Sequence, residues 1–124
     1  MEYPVIVIDD ERDVLELVRD VLCDEGFPVM ALDHPERAIG IADQVRPQMF
    51  LVDLMLPGCS GIELARRIRQ LGLDNTPIVA MSASPGMLTM AEASGLFDDT
   101  LAKPFDLNSL LDCVDRFVNA RRTA

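Results

Sequence analysis

Five short apolar runs, each followed by a stretch with helical spacing, leave this chain few folds to choose from. The runs are Val5–Ile8, Pro28–Leu32, Met49–Val52, Pro77–Met81 and, least regular, Asp98–Ala102. Between them apolar residues return every three or four positions. Val14, Leu15, Val18, Val21 and Leu22 do so after the first run, and Ala38, Ile39, Ala42 and Val45 after the second. Leu64, Ile68 and Leu71 follow the third run, and Leu107, Leu110, Leu111, Val114, Phe117 and Val118 follow the fifth. A spacing of 3.6 marks helices, while short continuous apolar runs mark strands buried on both faces. Five strand–helix units predict a doubly wound, five-stranded parallel sheet in the order 2-1-3-4-5, flavodoxin-like, with helices on both faces. At 124 residues the chain suits a single domain spanning 1–124.

Local signals sharpen some of these elements. Ser60 and Glu63 form a capping-box pattern after the turn chemistry of Leu56–Gly61, and Asp106 is placed to cap the last helix. Arg66, Arg67 and Arg69 read as a solvated face in the later turns of the third helix. Pro85 and Gly86 are expected to disturb the start of a weak fourth helix over Met87–Ala93. Cys23, Cys59 and Cys113 show no metal-ligand spacing and read as free thiols, with Cys23 and Cys113 as small core hydrophobes. His34, before Pro35, reads as a surface turn residue.

Charge excludes several functions. Acidic residues outnumber Lys and Arg by 21 to 11, and the net charge is −10. That balance repels nucleic-acid backbones, so no direct nucleic-acid binding is expected. No run is long enough for a membrane span, and no signal peptide opens the chain, so the expected location is cytoplasmic.

The chemistry gathers where the strands end. Asp9 and Asp10 follow the first strand, Asp53 the third, Ser82 the fourth and Lys103 the fifth. In the predicted order the first and third strands are neighbours, and a crevice opens beyond their C-terminal ends. Asp10 also has the alternative of capping the first helix. Two carboxylates about 5 Å apart repel by about 3 kcal/mol at an effective dielectric near 20. One lysine cannot neutralise three of them. Carboxylates without histidine or thiolate neighbours suit Mg²⁺, or Mn²⁺, and Mg²⁺ favours sites shared with a phosphate.

The motifs IDDE at 8–11, VDLMLPGCSG at 52–61, MSA at 81–83 and AKPF at 102–105 make the chain resemble a response-regulator receiver domain of two-component signalling, over nearly its whole length. The resemblance implies that Asp53 is the phosphoacceptor. It implies that Asp9, Asp10, Asp53 and the backbone carbonyl of Met55 hold the metal, and that Lys103 and Ser82 engage phosphoryl oxygens. It also implies a cis bond at Lys103–Pro104. The donor would be a sensor histidine kinase or a histidine phosphotransfer protein. The output would be an unknown partner or an effector domain of the same protein, read through residues 84–120. Such a domain is a phosphorelay switch, not a turnover enzyme.

The chain departs from that family at Thr100, where many receivers carry an aromatic residue three positions before the lysine. The usual coupled inward motion of hydroxyl and ring cannot occur in its standard form. Met55 and Ser84 flank the attack path without charge, which implies an aspartyl phosphate that is not unusually short-lived. Met87 and Met90 either lie partly exposed for a partner or pack on the sheet. A flavin binder is disfavoured by acids where its phosphate loop would sit. An aspartyl phosphatase is disfavoured by Met55, where a general acid is needed. The remaining alternative is a degenerate receiver that acts only as a protein-binding module.

Overall fold

The computed structural model describes residues 3–123. Strands β1 (Val5–Ile8), β2 (Val29–Leu32), β3 (Met49–Asp53), β4 (Ile78–Ser82) and β5 (Asp99–Ala102) alternate with five helices. These are α1 (Arg12–Asp24), α2 (Pro35–Val45), α3 (Gly61–Gln70), α4 (Pro85–Ser94) and α5 (Leu107–Thr123). All strand pairs are parallel, in the order β2-β1-β3-β4-β5. The fold class and strand order expected from the alternating pattern are therefore those observed.

Burial follows from that order. The central strands β1, β3 and β4 are buried along their whole length, whereas the edge strands β2 and β5 are only partly so. Alternate strand residues feed opposite faces. Val5, Val7, Leu51, Val79 and Met81 pack with Val18 and Leu22 of α1 and Leu110, Val114 and Val118 of α5. Ile6, Ile8, Phe50, Val52 and Ile78 pack with Ala38 and Ala42 of α2 and Leu64 and Ile68 of α3. The layer under α4 is much thinner, with Leu54, Ala80 and Ala91 as its buried residues.

Several local expectations need correction. Helix α4 starts at Pro85, not Met87: Ser84 is the N-cap, its Oγ accepts from Met87 N at 3.2 Å, and Pro85 takes the first-turn position. That position needs no amide hydrogen, and proline's fixed φ suits it. Asp10 does not cap α1; the N-cap is Glu11, without a side-chain bond. Cys23 is exposed, while Cys113 is buried as expected. Burial raises the Cys113 thiol to about 11, with Asp99 adding to the effect, so it stays protonated at neutral pH. Arg69 is not part of a solvated face, since its guanidinium bonds to the carbonyls of Leu73, Asp74, Thr76 and Leu96 and to the Asp98 carboxylate. Half of the capping box forms. Ser60 Oγ accepts from Glu63 N at 3.1 Å, while the Glu63 carboxylate pairs with Arg66.

Candidate functional site

Register brings the strand-end residues together. Ile8 lies opposite Val52, so Asp9 and Asp53 leave the sheet side by side, and Ser82 lies opposite Ala102, just before Lys103. Asp9 is fully buried and Asp53 only 3% exposed, while Asp10 stands at the exposed rim. One carboxylate oxygen from each of Asp9, Asp10 and Asp53 lies within 4.8 Å of the other two.

Lys103 reaches into this cluster from β5. Its Nζ donates to Asp9 Oδ2 at 2.7 Å, Glu11 Oε1 at 3.2 Å and Asp53 Oδ2 at 3.3 Å. The remaining oxygens of the buried acids are also held. Glu11 N donates to Asp9 Oδ1 at 2.8 Å, and Met55 N donates to Asp53 Oδ1 at 3.0 Å. Three carboxylates thus share one ammonium, with the Asp10 carboxylate close to two of them. Burial, and then Asp9 beside it, push the Asp53 carboxyl above its usual range, against the pull of the Met55 amide and Lys103. Burial alone would lower the Lys103 ammonium, but its bonds to Asp9 and its proximity to Asp53 outweigh that and raise it.

Fixed backbone geometry sets Asp53 in place. The start of α3 sits against the end of β3, where Gly61 N donates to Leu54 O at 3.0 Å. A Cβ on Gly61 would come within 2.4 Å of the Asp53 carbonyl oxygen and 2.7 Å of Leu54 Cα, so only glycine permits this approach. Ser82 is buried, and its Oγ accepts from Ser84 N at 3.1 Å. Met55, two residues after Asp53, is 64% exposed. Thr100 Oγ1 bonds to Glu92 Oε1 at 3.3 Å, tying β5 to α4 where an aromatic residue is absent. The Lys103–Pro104 bond is cis.

The structure thus gathers Asp9, Asp10, Asp53 and Lys103 in one pocket, with Ser82 on the adjoining strand end. Glu11 and Gly61 were not singled out from sequence. The acid run at 9–11 was the available signal for Glu11, whereas the close contact that demands Gly61 exists only once α3 is docked. A cavity of about 320 Å³ adjoins the pocket, lined by Glu11, Val14, Leu17, Lys103, Pro104 and Phe105 among others.

Comparison with known proteins gives one consistent result. A family profile described as the response regulator receiver domain matches residues 5–115. The sporulation initiation phosphotransferase F of Bacillus subtilis is 27% identical over 119 residues, which cover 95% of each chain. The transcriptional regulatory protein TrcR of Mycobacterium tuberculosis is 34% identical over 86% of this chain and 42% of its own length. The DNA-binding response regulator MtrA of Mycolicibacterium paratuberculosis is 32% identical over 90% of this chain and 49% of its own. The chain therefore spans less than half the length of those two regulators. Among solved structures, the receiver domain of NtrX from Brucella abortus superimposes with a TM-score of 0.85 at 25% identity, covering 93% of this chain and 98% of that one. A response regulator from Chloroflexus aurantiacus gives 0.86 at 26% identity, covering 96% and 99%.

Proposed function

The chain belongs to the response regulator receiver domain family, and from that premise we propose that it is a phosphoacceptor switch in which Asp53 takes a phosphoryl group from a partner phosphohistidine. The observation that carries this reading is the pairing of a buried strand-end carboxylate, Asp53, with a lysine that also bonds Asp9. Asp53 attacks phosphorus through a carboxylate oxygen. The new P–O bond forms as the donor's P–N bond breaks, and the departing imidazole keeps the bonding pair and gains a proton.

The donor set fits a hard divalent cation. The clustered atoms are carboxylate oxygens without histidine or thiolate, they outnumber the ammonium, and burial already makes the charge on Asp53 costly. Asp9, Asp10, Asp53 and the backbone carbonyl of Met55 would hold Mg²⁺ or Mn²⁺. When bound, the ion supplies positive charge against the transferring phosphoryl oxygens. Lys103, already fixed by Asp9 and Glu11, is preorganised to pair with one of those oxygens. The Ser82 hydroxyl turns to donate to another. The surface over residues 84–120 then changes for an output partner. Response regulators pair with sensor histidine kinases, and such a kinase or a histidine phosphotransfer protein is the proposed donor here.

Intact mass spectrometry after incubation with Mg²⁺ and acetyl phosphate tests the reading. One added phosphoryl mass is expected, lost in Asp53→Asn. Equal labelling of that variant places the acceptor elsewhere. No labelling of the wild type leaves a receiver that only binds partners.

A further inference from the structure

We propose that the cavity between α1 and the loop after β5 seats the leaving group of the phosphodonor, and that Glu11 makes this seat favour an imidazole ring over an anionic leaving group. The inference rests on Asp53 being the phosphoacceptor, and it names the class of donor that the site takes.

The cavity is apolar but for two groups. It holds about 320 Å³, ample for a five-membered ring, and Val14, Leu17, Ala83, Pro104 and Phe105 form its apolar walls. Leu17 is 48% exposed, so the cavity opens to an incoming side chain. Its charged lining residues are Lys103 and Glu11. Lys103 is fully engaged: an ammonium has three N–H donors, and these go to Asp9, Glu11 and Asp53. The cavity therefore adjoins the Asp53 oxygen that Lys103 holds. On transfer the lysine pairs with the phosphoryl group.

Glu11 keeps charge that faces outward. Its side chain is 62% exposed, and Oε1 takes the Lys103 bond at 3.2 Å. Backbone bonds fix where that charge stands. Glu11 N donates to Asp9 Oδ1 at 2.8 Å, and Glu11 O accepts from Leu15 N at 3.0 Å. Glu11 is the N-cap residue of α1, yet its carboxylate makes no cap bond and turns to Lys103 instead.

That carboxylate separates donors by the charge on what leaves. In a phosphoimidazole the nitrogen away from phosphorus takes a proton from solvent. The ring is then positive as the P–N bond breaks, and it departs neutral with the bonding pair. In acetyl phosphate the P–O bond breaks, and acetate keeps the pair and departs with a full negative charge. Glu11 attracts the first leaving group and repels the second. The phosphoryl group itself is the same in both, so its repulsion by Glu11 cancels when the two donors are compared.

Initial labelling rates, read by intact mass with Mg²⁺ at fixed ionic strength and equal low concentrations of phosphoimidazole or acetyl phosphate, test this in wild type, Glu11→Gln and Glu25→Gln. Glutamine keeps an oxygen for Lys103 and removes the charge. Glu25→Gln makes the same change at the exposed far end of α1. The phosphoimidazole-to-acetyl phosphate ratio should fall about fivefold in Glu11→Gln, the scale of one partly solvated charge pair, and hold its wild-type value in Glu25→Gln. A variant that merely loosens Lys103 slows both donors together and leaves the ratio unchanged. An unchanged or raised ratio in Glu11→Gln therefore overturns the donor selection alone, as does an equal fall in Glu25→Gln. So does a Glu11→Gln that labels with neither donor, since Glu11 would then serve Asp53 itself. Imidazole titrated into unlabelled protein at about pH 6, where the ring is largely protonated, should shift the methyl resonances of Val14 and Leu17, and less so in Glu11→Gln. No shift at these methyls in wild type overturns the seat. No added mass in wild type with either donor overturns the phosphoacceptor reading and this inference with it.

Discussion

Asp53 and Lys103 oppose each other in what they do to stability at neutral pH. The Asp53 carboxyl is raised, chiefly by burial, so the folded state holds its proton more tightly than the unfolded chain does. Stability from this group is fully present below the unfolded carboxyl value near 3.9 and declines as pH rises through the higher folded value. Asp53→Asn removes that loss. Its melting temperature in chelator at pH 7 should exceed wild type by a few degrees, and the gain should shrink toward pH 4, as scanning calorimetry would show. Lys103 is also raised, so its pH dependence has the same sign in a higher window: its ammonium contributes stability that is fully present below the unfolded lysine value near 10.4, hence at neutral pH, and is lost only as pH rises through its folded value. Lys103→Met leaves Asp9 and Asp53 buried and unpaired. It should cost about 3–5 kcal/mol in urea unfolding without metal, while calorimetric titration should show tighter Mg²⁺ binding because a competing cation is gone. Gly61→Ala should cost about 1–3 kcal/mol and slow labelling by acetyl phosphate, since its Cβ meets the backbone that carries Asp53 and backbone cannot rotate aside. Asp9, Asp10, Asp53 and Lys103 were legible in sequence because they follow the ends of apolar runs, whereas Glu11 lies further from its strand. The glycine was not legible, because its constraint is a contact between elements.

At the scale of elements, the readings that failed concern residues whose role depends on what lies across a gap. Arg69 sits in the last turns of α3, where a cation suits the helix dipole, and nothing local distinguishes it from Arg66 or Arg67. Its side chain is only 17% exposed because the loops before β4 and before β5 fold over it. Four carbonyls and the Asp98 carboxylate converge there, and Asp98 Oδ2 also accepts from Ile78 N at 2.8 Å at the start of β4. Arg69→Ala would strand those carbonyls. It should destabilise by about 2–4 kcal/mol in urea, with Arg69→Lys in between, because an ammonium keeps the charge but loses the planar fork. Equal stability of all three proteins would return Arg69 to a surface role. Helix α4 was misplaced for a related reason. Proline and glycine were weighed as breakers, but proline at the first helical position is a starter once a serine precedes it as cap. Strand order, by contrast, was fully legible, because burial on both faces writes itself as continuous apolar runs and crossover handedness removes most alternatives.

Across the whole molecule, a net charge of −10 and a buried acidic pocket act together. General self-repulsion among exposed carboxylates falls with any salt, since screening depends on ionic strength and not on which cation supplies it. The pocket is different, because Asp9 and Asp53 are sealed from bulk screening and only an ion that enters can relieve them. The two contributions therefore separate at matched ionic strength. Raising NaCl should lift the melting temperature gradually in wild type and in Asp53→Asn alike. Replacing NaCl by MgCl₂ at constant ionic strength should add a saturable increase in wild type, since a ligand bound only by the folded state stabilises as the logarithm of its concentration over Kd. Asp53→Asn should lose most of that increment, having lost one of the three clustered carboxylates. A magnesium effect no larger than that of sodium at equal ionic strength would mean that the pocket holds its charge on Lys103 alone. The phosphoryl chemistry proposed for Asp53 would then lack the cation on which it depends.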